Sequence, residues 1–284
     1  MCHNLKKKRS LICKPSNIKD MKNKKLLLAF TLLLISTVTV AQKKIDASKI
    51  MEDIKTGKSI SINNATIIGV LDFTYMKEAL KKTSHKKKSS WFNWNSNSST
   101  NEIKKIIDVN VSFTNCTFID DVLAYIPDED TGLTFTASFE NETIFKNCLF
   151  ESKAMFKYSR FEKNTDFSGS NFKDDSTFKY AKFDREISFA NTTFHEIATF
   201  KYAKFKNSTS FNDVLFKDDA TFKYSQFLDG VNFKNTIFKE NLNIKYMKVS
   251  GKFDITNIKV GYEIDSKYTK INGKSFNKSI LDKK

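Results

Sequence analysis

Cysteine is scarce. The 284 residues hold four, and only Cys116 and Cys148 stand beyond residue 41, too few to build a fold on disulfides. Histidine is scarcer, with His85 and His195 beyond that point, so the clustered His and Cys of a zinc site are missing. No nucleophile triad, phosphate-cradling glycine loop or metal-ligand motif is present; the sequence therefore nominates no catalytic residue, metal or cofactor. The most apolar run, Leu26 to Ile35 continuing to Ala41, is shorter than the roughly 20 residues that span a bilayer.

That run follows Lys22, Lys24 and Lys25 and ends in Thr39-Val40-Ala41 before Gln42, the pattern of a secretory signal peptide. Residues 1–41 are expected to be a leader with its true start at Met21, and the protein to be exported to the periplasm, the cell surface or the medium. An uncleaved leader would leave a membrane anchor. The formal charge of +16 is concentrated there. Residues 42–284 carry 39 basic against 31 acidic side chains, a net of +8, which attracts polyanions such as cell-surface glycans and serves equally as a solubilising surface.

Phenylalanine is what the chain has in plenty. It recurs at 139, 145, 150, 156, 161, 167, 172, 178, 183, 189, 194, 200, 205, 211, 216, 222, 227, 233 and 238, in steps that alternate between six and five. Ile244, Val249, Ile255 and Val260 continue the rhythm, and Phe113 with Phe118 anticipates it. Neither a helix nor a simple strand has this period. Two residues before each Phe stands a small or apolar one, among them Thr143, Cys148, Ala154, Ser159, Ala181 and Ala203. In an extended segment residues two apart share a face, so each step turns one Phe and one small residue inward. Phe156-Lys-Tyr-Ser-Arg-Phe161 returns at 178, 200 and 222 in near-identical form. One coil is therefore 22 residues, a four-sided turn of a solenoid whose neighbours stack at about 4.8 Å.

With Asn115-Cys116-Thr117-Phe118, Asn147-Cys148-Leu149-Phe150 and Leu71-Asp72-Phe73, the sequence resembles the pentapeptide-repeat family, in the form of an exported bacterial pentapeptide repeat-containing protein. The resemblance covers residues 58–73 and 105–260 and implies an all-β fold: a right-handed quadrilateral β-helix solenoid. This sequence departs from the family pattern in the sixth residue of alternate steps, which should bulge a corner, and in Phe dominating where Leu is common. Asn115, Asn147, Gly169, Asn191, Asp213, Asn235 and Asn257 stand two residues after their Phe or Ile. All tolerate positive φ and read as a ladder of turns.

The domain reading follows. Residues 42–57, with Asp46 or Ser48 as helix cap, Ile50 and Ile54 on one face and Gly57 as stop, form an N-terminal capping helix. The β-helix runs over 58–260, with inserted loops at 74–102 and 119–133. Residues 261–284 lose the rhythm and form a C-terminal cap and basic tail. Solenoid ends must be capped or they associate, so the protein is a monomer or an end-to-end dimer.

Two surfaces are candidates for ligands. Lys157, Tyr158, Lys179, Tyr180, Lys182, Lys201, Tyr202, Lys204, Lys223 and Tyr224 stack into a basic and aromatic face suited to an extended anionic polymer; the alternative is that Tyr covers the coil and Lys keeps it soluble. In the 74–102 loop, Trp91, Phe92 and Trp94 beside several lysines could grip a sugar ring or touch a lipid headgroup layer, or fold back on the helix. An acidic ladder of Asp174, Asp175, Glu196, Asp218, Asp219 and Glu240 raises calcium binding and a carbohydrate-active β-helix enzyme as alternatives, although a flat ladder offers no pocket to desolvate an acid. Cys116 and Cys148 either pack as small hydrophobes or form a disulfide. The leading functional expectation is a non-enzymatic exported scaffold that presents flat faces to a protein or an anionic polysaccharide. Nucleic acid is not an expected partner, because the DNA-mimicking relatives of this fold are acidic and this chain is basic.

Overall fold

The computed structural model describes residues 42–86 and 101–277. The leader, Trp91, Phe92, Trp94 and the last seven residues of the expected basic tail lie outside the described residues. Short extended segments pair with the segment one coil later, and these pairings build four sheets that every coil visits in turn. The first face runs from Ile60–Asn63 to Phe253–Asp254, and the second from Lys43–Asp46 to Lys259–Val260. The third runs from Leu71–Asp72 to Ile264–Asp265, and the fourth from Glu102–Ile107 to Lys270–Ile271.

In-register parallel pairing follows from the repeat. Phe113 lies opposite Phe145 on the first face, Phe150 opposite Phe172 on the second and Phe161 opposite Phe183 on the fourth. From Phe139 to Phe238 each Phe of the rhythm is buried, and through Phe216 each ring stacks on the ring of the next coil, as in Phe178 on Phe200 at 5.1 Å and 2°. Across the core the columns meet edge to face, as in Phe200 on Phe211 at 5.2 Å and 86°. Burying one such ring stabilises the fold by about 1.5–3 kcal/mol, and the small residues between them, such as Ala181, Ala198 and Ala203, leave room for the rings to interdigitate.

The alternation of five and six divides the corners into two kinds. Five-residue steps join the first face to the second and the third to the fourth. Each makes a tight turn in which the residue two after Phe has positive φ: Asn191 at 58° and Asn235 at 58° on one corner, Tyr180 at 60° and Tyr202 at 61° on the other. Six-residue steps make the two wider corners, so the extra residue shapes two corners and not one.

At the N-terminal end, Asp46 Oδ1 accepts the Ser48 N–H at 2.8 Å and caps α1 (Ala47–Lys55), which buries Ala47, Ile50, Met51 and Ile54 over the first coil. The strand Lys43–Asp46 ahead of it pairs with Ala65–Ile68. The second helix, α2 (Met76–Lys86), leaves the coil after Tyr75, inside the expected 74–102 insertion.

Two boundaries differ from the sequence reading. Val122–Leu123, assigned to an excursion over 119–133, is a strand of the third face, paired with Leu71–Asp72 and Ala154–Met155. The excursion is the antiparallel hairpin of Tyr125–Asp128 with Leu133–Phe139; Ala124 stands where later coils have Phe, which hid the rhythm. The coil also continues past Val260 through Ile264–Asp265 and Lys270–Ile271; Ser266 takes a Phe position there, which hid the rhythm. It ends in an Asn272-Gly273 hairpin, both residues at positive φ, that pairs Ile271 with Lys274. This is the turn such a two-residue loop favours, and it brings Phe276 to 5.8 Å from Phe253.

Candidate functional site

The corner between the third and fourth faces carries the sequence Phe-Lys-Tyr-Ser/Ala. The N–H of the fourth residue closes the turn on the Phe carbonyl, as Ala181 to Phe178 at 3.0 Å and Ala203 to Phe200 at 3.0 Å. With positive φ at the third position this is the type II pattern, which favours Gly or Asn there. Here the residue is Tyr158, Tyr180, Tyr202, Tyr224, Tyr246 and Tyr268 in successive coils. The Tyr N–H also donates to the Lys carbonyl of the next coil, as Tyr180 to Lys201 at 3.0 Å and Tyr202 to Lys223 at 3.0 Å. Bonds from two directions hold the unfavourable conformation.

Held this way, the rings form one stack. Centroids are 4.9 Å apart between Tyr158 and Tyr180, 4.7 Å from there to Tyr202, 4.7 Å to Tyr224 and 4.6 Å to Tyr246, all within 8° of parallel. Tyr125, from the hairpin, packs against the end of the stack, tilted by 53° at 5.9 Å from Tyr158. Each Lys lies over the ring that follows it: Lys157 at 5.0 Å, Lys179 at 5.4 Å, Lys201 at 5.3 Å and Lys223 at 5.5 Å. Lys157 also donates to the Tyr125 hydroxyl at 2.9 Å.

Lys182 and Lys204 project from the adjacent fourth face, in register with each other and with Arg160. Arg160 is neutralised by Asp184, which also holds Lys206 at 2.8 Å. Among the described residues Lys179, Lys182, Lys201, Lys204 and Lys223 take part in no ion pair. Burial and the neighbouring Lys157 and Lys201 push the Lys179 pKa down, and burial with the neighbouring phenols pushes Tyr180 up. From Lys179 to Lys223 the edge is thus a row of cations without an ion-pair partner, and the row's next member, Lys245 over Tyr246, pairs with Asp265 at 4.0 Å. A shallow groove of about 540 Å³ lies beside it on the third face, between Lys201 and Lys223 on one side and Asp219, Asn241 and Glu263 on the other.

The sequence placed Tyr on a flat side; the structure puts it at a corner. Its offset from Phe, two residues on in a five-residue step, is the offset of the Asn ladder, and that was the available signal. The last three rungs of the Asn ladder are bonded to one another, with Asn257 Nδ2 donating to Asn235 Oδ1 at 3.0 Å and Asn235 Nδ2 to Asp213 Oδ1 at 2.8 Å.

The acidic ladder occupies the wide corner between the second and third faces, where three of its six carboxylates accept backbone N–H groups. Asp174 accepts from the Asp175 N–H and Asp218 from the Asp219 N–H, both at 2.6 Å, and Asp219 accepts from Asn241. No group of three or more His, Cys, Asp or Glu side chains able to hold a metal ion occurs among the described residues. Cys116 and Cys148 are buried free thiols in adjacent coils. Each thiol donates to main-chain carbonyls, Cys116 to Ile62 and Thr114 and Cys148 to Phe113 and Lys146, and the neighbouring Cys116 thiol together with burial pushes the pKa of Cys148 up. No described helix is long and apolar enough to cross a membrane.

A family model described as pentapeptide repeats (9 copies) matches residues 136–182, 156–204 and 200–246. No curated protein and no solved structure matches the chain.

Proposed function

The chain belongs to the pentapeptide-repeat family, and from that premise we propose that it is an exported, non-enzymatic scaffold whose Lys–Tyr edge binds an extended anionic polysaccharide. Proteins of this family are generally structural or interaction scaffolds, and generally non-enzymatic. The observation that carries the proposal is the row of lysines seated over stacked Tyr rings without a carboxylate partner. One ammonium group and one phenol edge recur per coil, because the ring faces are stacked on one another, and this suits a linear polymer with regularly repeated charge lying along the solenoid axis. The phenol hydroxyls offer hydrogen bonds and the ammonium groups neutralise the polymer. Export rests on the leader pattern of residues 22–41. A membrane would be touched only through the Trp91 loop or an uncleaved leader, and the scaffold would act as a monomer or end-to-end dimer. The enzymatic alternative is not favoured, because the Asp174, Asp218 and Asp219 carboxylates are engaged in turns.

The test is a glycan array read with the wild type and with a K179E/K201E/K223E variant. The wild type is expected to bind acidic polysaccharides in a salt-sensitive manner and the variant to lose that binding. Equal binding by the two proteins overturns the assignment of the edge. Duplex DNA bound as tightly as the best glycan overturns the polysaccharide reading, and recovery of the expressed protein in the cytosolic fraction overturns export.

A further inference from the structure

The wide corner between the second and third faces stacks Lys173, His195 and Lys217 in consecutive coils, each directly after a buried Phe. Lys173 Nζ lies 3.4 Å from His195 Nε2, and Lys217 Nζ lies 3.3 Å from His195 Nδ1. An ammonium group only donates, and a neutral imidazole has one N–H and one acceptor nitrogen. One lysine is therefore satisfied by His195, and the other meets an N–H, donor against donor. If His195 is protonated, both contacts are of that kind.

Nothing else at the corner supplies the missing acceptor. Neither lysine takes part in an ion pair among the described residues. Asp174 and Asp218, next in the chain, are turned onto the backbone N–H groups of Asp175 and Asp219. Glu196 is exposed beside His195, and Glu151 and Lys239 continue the column one coil beyond each lysine. Two ammonium groups and an imidazole at one half-exposed position, with a single acceptor nitrogen among them, is an arrangement that a multivalent oxyanion resolves.

We propose that Lys173, His195 and Lys217 form a binding site for a tetrahedral oxyanion, the group carried by sulfate and phosphate esters, and that protonation of His195 completes it. Burial and the two ammonium groups hold the His195 pKa below the usual imidazole value, so these neighbours oppose protonation of the ring. A bound anion offsets the repulsion and favours the imidazolium. Affinity therefore rises as pH falls through the His195 pKa. The site is separate from the Lys–Tyr edge and stands without it.

Inorganic sulfate is the probe, since it stays a dianion across the range of the experiment. The readout is the His195 ring-proton resonance in NMR spectra of the intact protein, identified among its three histidines by its loss in H195Q. Sulfate is expected to shift this resonance, raise the pKa of His195 and bind more tightly as pH drops from about 8 to about 5. K173M/K217M should weaken binding by about tenfold or more, and H195Q should remove its pH dependence. These side chains point outward, and an unchanged circular dichroism spectrum shows that the variants fold. The proposal is overturned if sulfate leaves the His195 titration unmoved, if K173M/K217M gives the same shift, or if equal ionic strength of chloride reproduces it. Failure here leaves the glycan array result on Lys179, Lys201 and Lys223 unaffected.

Discussion

The two tight corners of each coil share one backbone conformation and carry different side chains. Asn191 and Tyr202 have φ of 58° and 61°, each two residues after a Phe and each closed by an N–H onto that Phe carbonyl. Asn suits the left-handed region because its short amide can bond locally, whereas a bulky residue there costs about 1–2 kcal/mol. The Tyr corner offsets this with ring stacking, worth about 0.5–1.5 kcal/mol per pair, and with the Lys over each ring, worth about 0.5–1 kcal/mol. Asn is at home in its turn alone, while Tyr is stable there only as one rung of a series. A column of residues in an unfavourable turn, held by its own repetition, is why the Lys–Tyr edge is the surface we propose for binding.

Breaking the shared core should have the largest effect and should not distinguish the corners. Phe189→Ala, ahead of the Asn turn, and Phe200→Ala, ahead of the Tyr turn, are each expected to cost about 3–5 kcal/mol in urea unfolding. A gap between them of the same size as either would mean that one corner rests on a different core.

The corners themselves separate at the next level. Alanine keeps the strain of positive φ and glycine releases it, so Tyr202→Ala should be less stable than Tyr202→Gly by about 1 kcal/mol, the reverse of the usual order in regular structure. Asn191→Gly should be close to neutral. If Tyr202→Gly is as damaging as Tyr202→Ala, stacking and not backbone strain governs that corner.

The smallest effect concerns the small residue that closes each turn. At the Asn corner Thr192 and Thr236 donate their hydroxyls to the Phe167 and Phe211 carbonyls at 3.1 and 2.6 Å. At the Tyr corner the buried Ser159 and Ser225 hydroxyls have no partner, and Ala181 and Ala203 fill the same column without one. Thr236→Ala should lower the thermal midpoint and Ser225→Ala should raise it, each by the equivalent of about 0.5 kcal/mol.

Much of this could be read in advance. A 22-residue repeat of Phe places the rings inside, sets the four-sided coil and assigns the Asn ladder to turns. It failed where the apolar signal changed residue: Ala124 and Ser266 occupy Phe positions, so the second coil looked interrupted and the last looked absent. The candidate edge was legible as a list of lysines and tyrosines, but not as a corner, because Tyr carries no turn signal of its own.

The sequence by itself determined the period, the inward and outward sides of each step and the column every residue belongs to, since an exact repeat leaves one register that buries the Phe. Tertiary structure alone decided which columns share a corner, that Tyr adopts a left-handed turn, and that Lys173, His195 and Lys217 meet with donors facing donors. Those outcomes depend on stacking between coils, and residues 22 apart acquire a relationship only when the backbone of one coil fixes the next about 4.8 Å away.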